Sequence, residues 1–220
     1  MLINIDTLIK SKQIDGISRE ESLKFNNIRV YFDHLRKPLE ELDGYIAGGS
    51  CLTIYSCPQI THYNKMWTNL QPNFNINDID IYFKTKTSFK DVFLVFKRHF
   101  PDILTDGCCV EHPILLLPKA IRNYPKLHII VSKYGPMEEL IDGFDFSVCQ
   151  LGYDFQNIYV GTHTMDDIRT RTLRLLSLHT PEKIYYRILK YKAKGYIPTG
   201  YTEFMMELFK ECADYNIADY

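Results

Sequence analysis

Residues 78–83, Asp-Ile-Asp-Ile-Tyr-Phe, constrain this chain more than any other segment. Acidic and apolar side chains alternate at its start, the period of two that an extended strand uses to bury one face. Ile79 and Ile81 therefore enter a core, while Asp78 and Asp80 project together from the opposite face, their Cα atoms about 6.6–6.8 Å apart. Two carboxylates this close repel each other unless a cation lies between them. Hard oxygen ligands of this kind suit Mg²⁺, which keeps water and substrate phosphates in its remaining positions. An Asp-x-Asp standing alone equally suits the solvated face of an edge strand, so the neighbouring segments decide between the readings.

Upstream, the short apolar run Tyr45-Ile46-Ala47 leads into Gly48-Gly49-Ser50. The run reads as a strand, and Ser50 reads as the cap of a helix through Tyr55 that Pro58 ends. A glycine turn between strand and helix presents backbone amides suited to phosphate groups. Downstream, Phe144-Asp145-Phe146-Ser147-Val148-Cys149 reads as another strand. A third carboxylate on a neighbouring strand would complete a two-metal site, with ions about 3.5–4 Å apart. Asp145 is the candidate for that position.

The remaining pattern mixes strands with helices. Phe25, Ile28, Phe32, Leu35, Leu39 and Leu42 recur at three- and four-residue steps, predicting a helix between Ser18 and Leu42 that Pro38 bends or restarts. Ser88 caps a further helix carrying Phe89, Val92, Phe93, Phe96 and Phe100. Ile114–Leu117 and Leu127–Val131 read as strands, 136–141 as a short helix, and 158–160 as the hairpin partner of 144–149. Helices are expected over 165–178, 181–194 and 200–214. The fold class is α/β, of α+β type: a small mixed β-sheet flanked by helices, with a helical C-terminal section. We expect a core over residues 1–163 and a helical section, 164–220, packed on it.

Lys183, Arg187, Lys190 and Lys194 recur at steps of four, three and four and share one face of the 181–194 helix, beside an apolar stripe of Ile184, Ile188 and Tyr191. The row reads either as a holder of phosphates or as a solvated face. Arg169, Arg171 and Arg174 are better read as solvated. His99, Cys108, Cys109 and His112 do not have zinc-ligand spacing. Tyr63 and Trp67, in the polar stretch from Gln59 to Asn77, suit either base stacking or pinning of a loop. Cys149 sits in an apolar run that would bury it, which argues against a nucleophile.

With 220 residues, 45% of them hydrophobic, the chain is long enough for a substantial core. A net charge of −1 disfavours binding of extended duplexes, so any nucleic acid contact would come from a local patch such as the 181–194 helix. Six cysteines without a Cys-x-x-Cys pair fit a reducing compartment. The first residues lack the basic and apolar blocks of a secretory signal, and no stretch approaches a membrane span. The expectation is an intracellular, cytoplasmic protein without membrane partners.

The constellation of Gly48, Gly49 and Ser50, then Asp78 and Asp80, then Asp145, resembles the DNA polymerase beta-like nucleotidyltransferase superfamily. Within it, Asp-Ile-Asp-Ile-Tyr-Phe, 144–150 and Tyr186-Arg187-Ile188-Leu189-Lys190-Tyr191-Lys192-Ala193-Lys194-Gly195 look like small enzymes carried by phages and large DNA viruses. The stretch Cys51 to Asn77 is longer than that family usually places between the glycine turn and the acidic pair. The resemblance implies attack by an acceptor hydroxyl on the α-phosphate of a nucleoside triphosphate, with release of pyrophosphate. Asp78, Asp80 and Asp145 would be the catalytic residues and ligands of two Mg²⁺ ions, with Mn²⁺ as substitute. Gly48, Gly49, Ser50, Arg187, Lys190 and Lys194 would bind the nucleotide. The acceptor stays open among an RNA or tRNA end, a protein and a small molecule. The setting implied is the cytoplasm, that of the host for a viral protein. Two rivals keep the same fold: a non-catalytic nucleotide- or RNA-binding module, and a toxin-like protein that acts on a host factor.

Overall fold

A computed structural model describes residues 1–10, 16–57, 76–106, 113–117, 125–178 and 181–216. Tyr63, Trp67, Cys108, Cys109 and His112 lie outside the described residues. In chain order the strands are β1 (Leu2–Asn4), β2 (Gly44–Ala47), β3 (Asp78–Phe83), β4 (Leu104–Asp106), β5 (Ile114–Leu116), β6 (Lys126–Tyr134), β7 (Leu151–Tyr153) and β8 (Asn157–Val160). They form one mixed sheet in the order β1-β8-β7-β2-β3-β6-β5-β4. Strands β3 and β6 run parallel, whereas β2 is antiparallel to both β3 and β7.

Alternation along β3 works as its sequence dictates. Ile79, Ile81 and Phe83 are fully buried in the main core with Ile46 of β2 and Leu127 and Ile129 of β6. The opposite face carries a smaller cluster, Tyr45, Ala47, Tyr82, Met137 and Ile141. Helix Gly49–Tyr55 packs against helix Arg19–Phe32, where the Phe25 and Tyr55 rings lie 4.9 Å apart. The expected long helix restarts near Pro38: Arg19–Phe32 passes through a single 3₁₀ turn, Asp33–Leu35, into Arg36–Glu41. Pro38 then falls in the first turn of the second helix, where a missing N–H costs little. Ser88 caps helix Phe89–His99, accepting from the Asp91 amide.

Three expectations need correction. Residues 144–149 are not a strand but a bend, a single bridge from Phe146 to Leu175, and the 3₁₀ turn Ser147–Cys149. Side chains brace the backbone there: Ser147 Oγ donates to Asp167 Oδ2 at 2.6 Å, and Thr164 Oγ1 donates to the Ser147 carbonyl at 2.8 Å. The hairpin partner of β8 is therefore β7. The helix expected over 165–178 spans only Thr164–Thr170, because Arg171 turns left-handed at φ 55°. Strand β9 (Thr172–Leu173) then pairs in parallel with β10 (Ile197–Pro198). Helices Pro181–Ala193 and Gly200–Asn216 complete the described chain.

Candidate active site

Strand β2 leads into Gly48, whose φ of 93° and ψ of −149° lie where only glycine sits without strain. Its amide donates to the Leu151 carbonyl at 2.8 Å, and its carbonyl accepts from Cys51 at 3.1 Å. Gly48, not Ser50, is thus the N-cap of helix Gly49–Tyr55. Ser50 lies within the first turn, 6% exposed, beside the Cys51 thiol, and no described residue offers its buried hydroxyl a partner in good hydrogen-bond geometry. A buried hydroxyl left in that state is costly unless a ligand satisfies it.

Asp78 and Asp80 stand on one face of β3 with partly exposed carboxylates. Ala47 is the partner of Asp80 on β2, and His128 is its partner on β6. The His128 Nδ1 lies 3.4 Å from Asp80 Oδ1 and 3.5 Å from Asp78 Oδ2. The hydrogen bond with Asp80 raises the His128 pKa above its ordinary value; burial opposes that rise and the Asp78 charge adds to it. One ligand atom from each of Asp78, Asp80 and His128 falls within 4.8 Å of the others, a spacing that can hold a metal ion.

Helix Pro181–Ala193 and the residue after it supply the cations. Arg187, Lys190 and Lys194 line a cavity of about 310 Å³ together with Gly49, Ser50, Asp78 and Asp80. Burial, and then the charge of Lys190, holds the Lys194 ammonium pKa below its ordinary value. Lys183, one turn earlier, is not among the lining residues.

Asp145 lies in the bend, 6% exposed, and its Oδ2 accepts from Arg187 Nη1. That guanidinium also sits 5.6 Å from the Phe146 ring centroid. Asp145 thus reaches the cavity only through Arg187, which lines it, whereas among the described residues the group placed to share an ion with Asp78 and Asp80 is His128. Sequence reasoning missed His128. Its only signal was an imidazole on the exposed side of the alternation in 127–131, and nothing along the chain reveals that β6 pairs with β3 in this register.

Other candidates resolve into structural roles. Arg169 forks onto Glu21 and Arg174 onto Asp167, while Arg171 lies 5.3 Å from the Tyr196 ring. His99 pairs with Glu41 at 3.2 Å. Cys149 is buried against the Tyr191 hydroxyl at 2.8 Å, and burial pushes its thiol pKa up, which suits a packed thiol and not a nucleophile.

A family model of the Gabija anti-defense 2 proteins, Gad2, matches residues 22–171. The chain belongs to that family. No curated protein sequence matches it. Among solved structures, a CCA-adding enzyme complexed with CTP superposes with a TM-score of 0.58 at 15% identity, covering 96% of this chain and 46% of that one. The Thermotoga maritima CCA-adding enzyme complexed with tRNA gives 0.57 at 15% identity, covering 96% and 46%. A tRNA-processing enzyme with CTP gives 0.57 at 14% identity, covering 80% and 45%. This Gad2 family member therefore shares the fold of these CCA-adding and tRNA-processing enzymes, and it spans a little under half the length of these structures. Among its described residues, no helix is long and apolar enough to cross a membrane.

Proposed function

We propose that this protein is a metal-dependent nucleotidyltransferase, moving a nucleoside monophosphate from a nucleoside triphosphate to a hydroxyl acceptor and releasing pyrophosphate. One observation carries the reading: two carboxylates, an unsatisfied buried hydroxyl and three cations converge on a single cavity. The likeness to CCA-adding enzymes solved with CTP, ATP and tRNA supports it at the level of fold. In this reading residues 1–163 form the catalytic core, and 164–220 form a helical section that contributes the cations.

The donor set fits a divalent ion, since ligand atoms of Asp78, Asp80 and His128 lie within 4.8 Å of one another, and Ser50 lines the cavity that the two aspartates share. Bound there, the metal would neutralise phosphate charge and lower the pKa of the acceptor hydroxyl. The protein's own groups do the rest. Arg187, Lys190 and Lys194 hold the triphosphate tail by charge-assisted hydrogen bonds. The Ser50 hydroxyl and the first-turn amides of Gly49 and Ser50, which lack intrahelical acceptors, orient phosphate oxygens. Asp145 keeps Arg187 aimed into the cavity. The acceptor oxygen then bonds to the α-phosphorus as the bond to the β-phosphate oxygen breaks, and the hydroxyl proton passes to solvent. Catalysis is mostly positioning and electrostatic stabilisation.

The name of the family is that of proteins acting against Gabija defense. We place the acceptor accordingly, as an RNA or protein on which that defense depends, with a viral origin and the host cytoplasm as the setting. One observation favours a second reading, a module that binds nucleotide without transfer: the Asp145 carboxylate is taken up by Arg187. Incubation with α-labelled forms of the four triphosphates and extract from cells carrying Gabija defense separates the two. Transfer predicts a labelled acceptor, whereas sequestration predicts bound and unconverted nucleotide.

A further inference from the structure

We propose that Asp78, Asp80 and His128 form a two-carboxylate, one-imidazole site that selects a first-row transition ion of the Mn²⁺ type over Mg²⁺. The inference deepens the nucleotidyl-transfer reading and rests on it for the ion's catalytic use, though not for its binding.

The geometry comes from strand pairing. Because β3 and β6 are parallel with Asp80 opposite His128, the imidazole is delivered between the two carboxylates, and this register precedes the irregularity between Ile81 and Phe83. Its Nδ1 lies at nearly equal distances, 3.4 and 3.5 Å, from one oxygen of each. An ion seated among these three atoms would draw each of them inward. The independent sign of a ligand is Ser50, whose buried hydroxyl finds no well-formed hydrogen bond among the described residues and lines the cavity shared with both aspartates.

The choice of ion follows from ligand chemistry. Mg²⁺ demands near-ideal octahedral oxygen coordination and gives up water reluctantly. Imidazole nitrogen is a softer donor than oxygen and suits first-row transition ions better than Mg²⁺, with affinity lowest at Mn²⁺ and rising along the row. A third carboxylate at position 128 would leave an all-oxygen set suited to Mg²⁺; histidine there tilts the set the other way. A competing role for His128 is that of a bare charge partner, an imidazolium lying between two carboxylates with no metal.

Mn²⁺ titration of the full chain, followed by electron paramagnetic resonance with and without excess Mg²⁺, tests this. The native protein is expected to bind Mn²⁺ with nitrogen-14 modulation from one imidazole and to retain it against Mg²⁺. His128→Asp is expected to lose the nitrogen modulation and to discriminate between the ions about tenfold less or worse. Mn²⁺ bound without nitrogen modulation, or displaced by equimolar Mg²⁺, would overturn the proposal. Both outcomes are read on the native protein alone, whether or not the variant folds. Nitrogen-coupled Mn²⁺ without any nucleotide transfer would sink the reaction and leave the site standing. Transfer at full rate in Mg²⁺ without nitrogen coupling would do the reverse.

Discussion

Arg187 and Asp145 lie 42 residues apart in sequence, yet the guanidinium of one, which lines the cavity, donates to the carboxylate of the other. The arginine belongs to helix Pro181–Ala193 and the aspartate to the bend after helix Met137–Asp142, so the pair ties the C-terminal section to the sheet. Asp145 is nearly buried and Arg187 is 40% exposed. Removing the arginine strands a buried acceptor. Arg187→Ala should therefore destabilise the fold by about 1–3 kcal/mol. Replacing both partners, as in Asp145→Asn with Arg187→Ala, should recover part of that loss, with a coupling on the order of 1 kcal/mol. Urea denaturation of the four members of the cycle measures it, and strict additivity would deny the link.

Lys190 is exposed on the same helix, within the cavity lining. Lys190→Ala should weaken triphosphate binding about tenfold, equivalent to about 1.4 kcal/mol. Unfolding free energy should stay within about 0.5 kcal/mol of the native protein, as expected for an exposed surface site. Calorimetric titration at two salt concentrations checks this, with the difference shrinking as salt rises.

Gly48 and Gly49 are adjacent but not equivalent. At φ 93° Gly48 occupies a conformation foreign to L side chains, although among the described residues an added Cβ would approach nothing closer than Asp80 Oδ2 at 3.6 Å. Gly49 is helical, and among the described residues its Cβ would meet only the Tyr191 hydroxyl at 3.4 Å. Gly48→Ala should cost about 1–3 kcal/mol through backbone strain. Gly49→Ala should be close to neutral, since helical alanine offsets the tight contact. Chemical denaturation of both variants distinguishes backbone strain from crowding.

Glu21 reports on the acid limb of stability. Burial alone would raise its pKa, but hydrogen bonds from Arg169 and from the Ser18 amide and hydroxyl outweigh it and set the value below the ordinary 4.5. A carboxylate depressed by folding contributes stability that is complete above its unfolded pKa and is lost as pH falls through the folded value. At neutral pH, Glu21→Gln should lower stability on the order of 1 kcal/mol, since Arg169 is itself half-exposed. The gap between native and variant midpoints should close as pH drops below about 4.5, the usual carboxylate range. Urea midpoints across that range follow it.

Local periodicity revealed most elements because it is a property of neighbouring residues. The alternation in 78–83, the three- and four-residue steps before Leu42 and the cap at Ser88 all gave the structure found. The segment 144–149 misled because the burial of Phe146 and Val148 mimics a strand, while the Ser147 hydroxyl donates to Asp167 and the Ser147 carbonyl accepts from Thr164, bonds that fold it otherwise. The edge strands β1 and β4, three residues each, are too short to carry a period. At the candidate site, Asp78, Asp80, Arg187, Lys190 and Lys194 were visible as pairs or rows on single elements. His128 was not, because its meaning depends on which strand lies beside β3. The pairing of Asp145 with Arg187 was hidden for the same reason.

The central claim is transfer, and pyrophosphate release measures it most directly. Purified protein, given α-labelled nucleoside triphosphate, divalent metal and extract from cells carrying Gabija defense, should release one pyrophosphate for each nucleotide fixed to the acceptor. Asp80→Asn should bring both signals to background while retaining the native unfolding transition. Tight nucleotide binding with no pyrophosphate released from any of the four triphosphates, or an Asp80→Asn protein as active as the native one, would contradict the account.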